Sequence, residues 1–337
     1  MNNRQIVLAS RPTGQPTVDN FRLVEAPLPE VGDGQVLVRH HFLSLDPYMR
    51  GRMNDGKSYA APQALDEVMI GGTAGEVVES RNRGFAVGDQ VVGMGGWQEH
   101  AVITPGPTAP LFKVDTTHVP LSAYLGPVGM PGITAWYGLE KIIAPKAGQT
   151  IVVSAAAGAV GSVVGQLAKR HGCRAVGIAG GPDKCAHVVD VLGFDACVDY
   201  RPHADARALA GALKAACPDG IDGDFENVGG MVLDAVMLRA NAFARVALCG
   251  MIAGYDGAPI PMATPQLLLV NRMKIEGFIV SEHMEHWPTA LLELGGLVAK
   301  GQLRYHETVA DGLAAAPEAF LGLLRGKNLG KQLVKLS

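Results

Sequence analysis

The chain has 337 residues, 48% hydrophobic and 18% charged, with 29 Lys and Arg against 32 Asp and Glu. That length suggests two domains on a soft prior of about 150 residues each. The composition supplies a packed core and carries no signature of disorder. A formal charge of -3 without basic runs argues against nucleic acid or an anionic membrane as the main partner. Glycine is in excess, with 43 residues and no three-residue period, which excludes collagen and implies many tight turns and close backbone approaches.

Residues 6–9 form too short an apolar run for the core of a signal peptide, and Arg11 and Pro12 end it. From there to residue 121 the chain reads as short strands, at 35–42, 74–79, 90–94 and 99–103, divided by glycine-rich turns such as Gly71-Gly72 and Gly88-Asp89. This pattern predicts a compact, barrel-like β unit. A helix is predicted over 134–142. Apolar strand-like runs then begin near 151, 174, 196, 223, 245 and 273, and most gaps can hold a helix, for example 182–192 and 231–238. Such alternation is the mark of a parallel sheet covered on both faces, so 122–302 reads as one doubly wound α/β domain. A helix at 286–300 closes it, followed by a strand at 307–310 and a helix near 317–324.

Residues 151–168 run eighteen positions without a charge, close to transmembrane length. A β-branched run that gives way to small residues and then a helical pattern fits strand, tight turn and buried helix better than a span. The cysteines, at 173, 185, 197, 217 and 249, are odd in number and contain no C-x-x-C pair. They read as small buried hydrophobes of a reducing compartment, not a disulfide framework or a zinc site. The C-terminal KQLVKLS matches no targeting tail. A cytoplasmic location is expected.

The strongest motif is Ala156-x-Gly158-x-x-Gly161, the dinucleotide fingerprint with alanine in the first glycine position. Small residues are needed there because backbone N–H groups must approach a pyrophosphate closely at a helix N-terminus. The next strand ends in Gly180-Gly181-Pro182-Asp183-Lys184, without the acidic residue that holds ribose hydroxyls in NAD enzymes. Lys184 is placed to donate to a 2′-phosphate, which favours NADP(H).

The flanking segments carry a wider likeness: LDPYMRGRM at 45–53, VGMPGITAW at 128–136, AAAGAVGS at 155–162, ENVGG at 226–230, Cys249-Gly250, GFIV at 277–280 and KNLGK at 327–331. In these the chain resembles the zinc-independent medium-chain dehydrogenase/reductases, in the group of leukotriene B4 12-hydroxydehydrogenase/15-oxoprostaglandin 13-reductase, alkenal double-bond reductases and curcumin-reductase-like proteins. The resemblance implies a Rossmann domain at 122–302. It also implies a discontinuous GroES-like β domain for the substrate at 1–121, completed by 303–337. It implies NADPH contacts at Thr134, Gly158, Ala159, Val160 and Gly161, with Lys184 and Tyr200 at the 2′-phosphate. Arg201, next to Tyr200, reads equally as a charge flanking the adenine phosphate or as an ordinary surface charge. Around ribose and nicotinamide it places Asn227, Cys249, Gly250, Met251, Ile252, Tyr255, Phe278, Ile279, Val280 and Asn328. A homodimer joined near 273–280 is expected on the same basis.

No metal is expected. A zinc member of the superfamily needs cysteines in its first domain, and none precedes Cys173. His283 and His286 lack a third ligand. Alcohol oxidation without a metal needs a constellation that holds an alkoxide, and none is evident. Reduction of the carbon–carbon double bond of an α,β-unsaturated ketone or aldehyde asks less: alignment, a donor to the developing enolate oxygen and a proton for the α-carbon. Tyr48 and Tyr255 are the candidate catalytic hydroxyls, with Asp46 and Arg50 read as a structural pair. A quinone reductase of the same superfamily and a non-catalytic NADPH-binding protein are the alternatives.

Overall fold

The computed structural model describes residues 2–337, which divide into two compact units, 2–125 with Glu307–Ser337 and Gly126–His306. The first opens with antiparallel β1 (Asn2–Leu8) and β2 (Phe21–Pro27). It continues through β3 (Val36–Ser44), the single-turn helix α1 (Tyr48–Arg52), β4 (Thr73–Ser80), β5 (Gln90–Gly93), β6 (His100–Ile103) and β7 (Leu111–Lys113). The sequence pattern missed β1 and β2. Ile6, Val7 and Leu8 are all buried in succession, so the alternation that marks a half-exposed strand is absent.

The second unit holds α2 (Met130–Tyr137), β8 (Thr150–Ser154), α3 (Gly161–Arg170), β9 (Arg174–Ala179), α4 (Pro182–Ala186), β10 (Ala196–Asp199) and α5 (Ala206–Ala216). β11 (Ile221–Glu226), α6 (Met231–Met237), β12 (Ala240–Leu248), α7 (Gln266–Val270), β13 (Lys274–Gly277) and α8 (Trp287–Ala299) follow. Its six strands are all parallel, in the order β10-β9-β8-β11-β12-β13. This is the doubly wound arrangement, and its order reverses at β8, where such sheets bind ligands. The helices expected at 134–142 and 182–192 are each a short α-helix relaxing into a wider coil, at Gly138–Ile143 and His187–Val191. Apolar periodicity does not distinguish the two windings.

The chain then returns to the first unit with β14 (Glu307–Asp311), α9 (Ala316–Leu324) and β15 (Lys331–Lys335). β15 pairs antiparallel with β3, completing a mixed sheet ordered β14-β15-β3-β4-β5-β7, with β6 also on β3. Trp97 anchors this unit's core, stacked on Phe21 with centroids 5.3 Å apart and met edge-on by Phe320 at 5.6 Å. Each such aromatic pair contributes about 0.5–1.5 kcal/mol beyond its burial. The corresponding core of the second unit lies between β8–β11 and helices α5 and α6, among Val152, Val176, Leu209, Leu213 and Val236.

Candidate functional site

The loop between β8 and α3 is shaped by backbone constraints at particular residues. Ala155 adopts a left-handed conformation, φ +48°, and its carbonyl accepts from Gly158 N at 2.9 Å. A Cβ on Gly161 would lie 2.5 Å from that carbonyl oxygen and 2.9 Å from Ala156 Cα. Only glycine therefore lets α3 start so close to the loop. Ala159 and Val160 complete the turn into α3, with Ser162 N donating to Gly158 O at 3.0 Å and Val163 N to Val160 O at 3.0 Å, and a helix N-terminus of this kind favours an anion. The ten residues of α3 are mostly buried, so the helix N-terminus is held rigidly.

Asp199, the last residue of β10, fixes the loop that follows β9 by accepting from Gly181 N at 2.8 Å, and its own following turn by accepting from Arg201 N at 3.0 Å. Tyr200 and Arg201 lie over Gly180: a Cβ there would be 3.0 Å from both Tyr200 Cε1 and Arg201 Nε. Lys184, on the single turn of α4, is half-buried, and burial followed by the nearby Arg201 charge lowers its ammonium below the usual lysine range. Two cations near one another beside a phenol, with one partly desolvated, are an arrangement that could hold an anion. An anion relieves both penalties.

Behind the phosphate loop, Glu226 at the end of β11 is fully buried and accepts from Ser154 Oγ (2.9 Å) and from the Val228 and Gly229 amides. Ser154 Oγ in turn accepts from Asn227 N at 2.7 Å, while Asn227 Nδ2 donates to Ser154 O at 2.8 Å. Asp224, two residues earlier on the same strand face, is equally buried. Burial and the Glu226 charge push its carboxyl well above the usual range. Asp224 thus stays protonated and donates to Glu226, whose amide and hydroxyl donors counter the upward push of burial. In the sequence Ser154 and Glu226 stand only as parts of motifs, without a role for either, and Asp224 is not singled out. The available signal was the run Asp222-Gly-Asp224-Phe-Glu226 inside a buried strand.

The 249–255 segment is tied to the same corner. Cys249 N and Gly250 N donate to Glu226 O, Ile252 N to Asn227 O and Ala253 N to Val228 O. Met251 packs on Gly229, and the Tyr255 hydroxyl reaches 3.4 Å from where a Gly250 Cβ would be. The Cys249 thiol is pushed up to about 12 by burial and by Glu226, so it is inert at neutral pH. Thr134 Oγ1 donates to Met130 O on its own helix. Phe278 packs between Tyr137 (5.4 Å) and Phe225 (6.2 Å), and Val280 O accepts from Trp287 Nε1, which orients the stretch containing Ile279. Most of the nominated residues therefore lie at or just beyond the carboxyl ends of β8, β9, β11, β12 and β13. His283 stacks on Tyr137 at 4.2 Å and belongs to an aromatic cluster. Among the described residues, no three His, Cys, Asp or Glu side chains gather to hold a metal.

Tyr48 and Asn328 belong to the first unit. Tyr48 opens α1, and burial followed by the Asp46 charge raises its phenol well above the usual range, so it remains a neutral O–H donor. Asp46 takes its salt bridge from Lys331 and a short hydrogen bond from Ser44, while Arg50 donates to Asn54 and to Gly14 O. Asn328 is buried and donates to Gly330 O at 2.8 Å.

Comparison with known proteins adds independent findings. Residues 4–113 match the family described as the N-terminal domain of oxidoreductase, and residues 159–295 match zinc-binding dehydrogenase. The chain is 44% identical to the NADPH-dependent curcumin reductase of Escherichia coli, over 99% of this chain and 97% of that protein. It is 40% identical to the 2-alkenal reductase (NADP(+)-dependent) of Nicotiana tabacum, over 100% and 98%. The crystal structure of CurA from Vibrio vulnificus in complex with NADPH superposes with a TM-score of 0.91 at 45% identity, covering 99% of each chain.

Proposed function

The chain belongs to the zinc-independent medium-chain dehydrogenase/reductases, and we propose that it is an NADPH-dependent reductase of the carbon–carbon double bond of α,β-unsaturated ketones and aldehydes. The observation that carries this reading is the likeness, over essentially the full chain, to reductases of curcumin and 2-alkenals. The close approach of Gly161 to Ala155 and the Lys184–Tyr200–Arg201 cradle support the cofactor.

In this reading the second unit binds the dinucleotide, and the first provides the substrate's surroundings. NADPH, when bound, supplies the hydride added to the β-carbon. The backbone of the 158–161 loop, tightened by the Gly158 N to Ala155 O hydrogen bond, holds the pyrophosphate at the start of α3, and Lys184, Tyr200 and Arg201 hold the 2′-phosphate. Asn227, residues 249–255, residues 278–280 and Asn328 position the ribose and nicotinamide, with Thr134 beside them. The buried proton between Asp224 and Glu226 keeps the 227–229 backbone in place from behind. Tyr48 donates to the substrate carbonyl. Because its phenol is too weak an acid to ionise, it stabilises the enolate oxygen by hydrogen bonding rather than by surrendering its proton. Tyr255 is the second hydroxyl, holding the ribose or passing a solvent proton toward the α-carbon.

A homodimer fits the surface of the second unit. β13 lies at the edge of its sheet, and Phe243, Leu269 and Val270 near it are 68%, 81% and 59% exposed. A cytoplasmic location accords with five free cysteines. Among the described residues no helix is long and apolar enough to cross a membrane.

The test is NADPH oxidation with a simple enone such as 3-nonen-2-one, with NADH and a chelator in parallel and the product identified. Chelator-insensitive formation of the saturated ketone, with NADPH preferred, is the expected result. Turnover confined to quinones moves the assignment to a quinone reductase, and NADPH binding without turnover of either class overturns enzymatic reduction of these substrates.

A further inference from the structure

The geometry points to Cys185 and Cys197 as an oxidisable dithiol, a modification site in the wall of the 2′-phosphate cradle whose disulfide weakens NADPH binding. The second half of this statement rests on the reading of Lys184, Tyr200 and Arg201 as that cradle.

The two sulfurs are 3.2 Å apart, with the Cys197 thiol donating to Cys185 Sγ. Neither is fully buried, so a small oxidant reaches them, whereas Cys173 and Cys217 are buried. The space for the Cys197 sulfur exists because residue 177, its partner on β9, is glycine. A Cβ there would lie 3.1 Å from Cys197 Sγ and 2.8 Å from Ala156 Cβ. A disulfide needs the sulfurs about 1.2 Å closer, since its bond is about 2.05 Å.

The two ends differ in how freely they move. Cys197 sits on β10, held by its ladder with β9. Cys185 sits on α4, a single turn with no buried residue. Closure therefore draws α4 toward β10. Lys184 immediately precedes Cys185, and Tyr200 and Arg201 follow Cys197 by three and four residues, so the movement distorts the cradle.

The chemistry balances with a hydroperoxide as oxidant. The Cys185 thiolate attacks the peroxide O–O bond, giving a sulfenic acid and hydroxide. The Cys197 sulfur then displaces the sulfenic oxygen, so that two thiols and one hydrogen peroxide become a disulfide and two waters. Burial raises both thiols, while the Cys197 hydrogen bond favours the Cys185 thiolate, so Cys185 reacts first and faster as pH rises.

The experiment exposes the full-length protein to hydrogen peroxide, blocks the remaining thiols and maps its peptides without reduction. NADPH and NADH dissociation constants are then measured before and after oxidation, and again after dithiothreitol. The expected result is a reducible 185–197 cross-linked peptide and an NADPH affinity about three- to tenfold weaker, restored by the reductant, with NADH unchanged. C185S and C197S each remove both effects. Peroxide that oxidises Cys249 while the pair stays reduced overturns the dithiol, and that map can be read on the unaltered chain even where a variant folds poorly. A cross-link that leaves NADPH affinity unchanged overturns its effect on the cradle. A reduced protein that binds NADPH no better than NADH instead defeats the 2′-phosphate assignment, leaving the peptide map to decide the dithiol separately.

Discussion

Lys331 Nζ lies 2.6 Å from Asp46 Oδ1 and 2.7 Å from the Leu45 carbonyl, joining the last strand to the segment that leads into Tyr48. Both charged side chains are buried, 3% and 9% exposed. Removing one partner of such a pair leaves an uncompensated buried charge, which costs about 3–5 kcal/mol. Lys331→Met is expected to lose stability in that range in urea unfolding, and Asp46→Asn to lose less because asparagine still accepts from the ammonium. A Lys331→Met protein as stable as the parent would mean that the pair does not anchor this segment.

Gly161→Ala places a methyl 2.5 Å from the Ala155 carbonyl oxygen, so the loop or α3 must shift. The expected outcome is a rise in KM for NADPH of tenfold or more, read in steady-state kinetics at saturating enone. Gly211→Ala is the control. Gly211 lies exposed in α5 with nothing within 4 Å of its would-be Cβ, and this change is expected to stabilise by about 0.5–1 kcal/mol through helix propensity.

Lys184→Ala and Arg201→Ala test the anion cradle. Each is expected to raise KM for NADPH roughly tenfold or more, a loss of about 1.4 kcal/mol per factor of ten, with KM for NADH little changed. Equal losses with both cofactors would assign the two cations to general folding of the loop.

The parallel sheet could be read from the sequence because β8 and β9 are apolar runs and the other strands recur at a regular spacing after them, and the phosphate loop because its small residues follow β8. Nothing local announced Lys331 as the partner of Asp46. The two are 285 residues apart, and only the pairing of β15 with β3 brings them together. The Asp224–Glu226 pair stood in plain view, but acidic residues in a strand normally point to solvent, and only the tertiary burial of that face makes them share a proton. α5 was passed over although Asp205 announces it, its side chain accepting from Ala208 N at 2.9 Å. The first-unit strand β7 is three residues long, too short to show a period.

Buried His40 offers a test in acid. Its Nδ1 donates to Gln98 O at 2.7 Å, its Nε2 makes no hydrogen bond, and burial lowers its pKa to about 4. The unfolded chain, with a histidine near 6.5, therefore takes up a proton that the native state refuses between pH 6.5 and 4. Stability contributed by the neutral ring is complete above pH 6.5 and falls by roughly 3 kcal/mol as pH drops toward 4. His40→Asn keeps a donor near Gln98 O but cannot titrate. Its urea unfolding is expected to show a shallower loss between pH 6.5 and 4 than the parent's, and parallel pH curves for the two would refute the assignment.

Asp224 gives the opposite sign. Its native carboxyl is held protonated, so the unfolded chain, ionising near pH 4, releases a proton that the native state keeps. Its contribution is complete below pH 4 and is progressively lost as pH rises toward the native pKa. Asp224→Asn retains a donor for Glu226 and removes the titration. Its stability relative to the parent is therefore expected to grow from pH 5 to pH 8 by at least 1 kcal/mol, about one pKa unit of linkage. NADPH binding is the second readout, because the donated hydrogen bond steadies Glu226 and through it the Val228 and Gly229 amides. Asn at 224 is expected to leave KM for NADPH within about threefold, whereas Asp224→Ala, which takes away the donor and leaves a cavity beside Glu226, raises it further. If asparagine and alanine prove equivalent in both stability slope and KM, the proton on Asp224 does nothing for the loop.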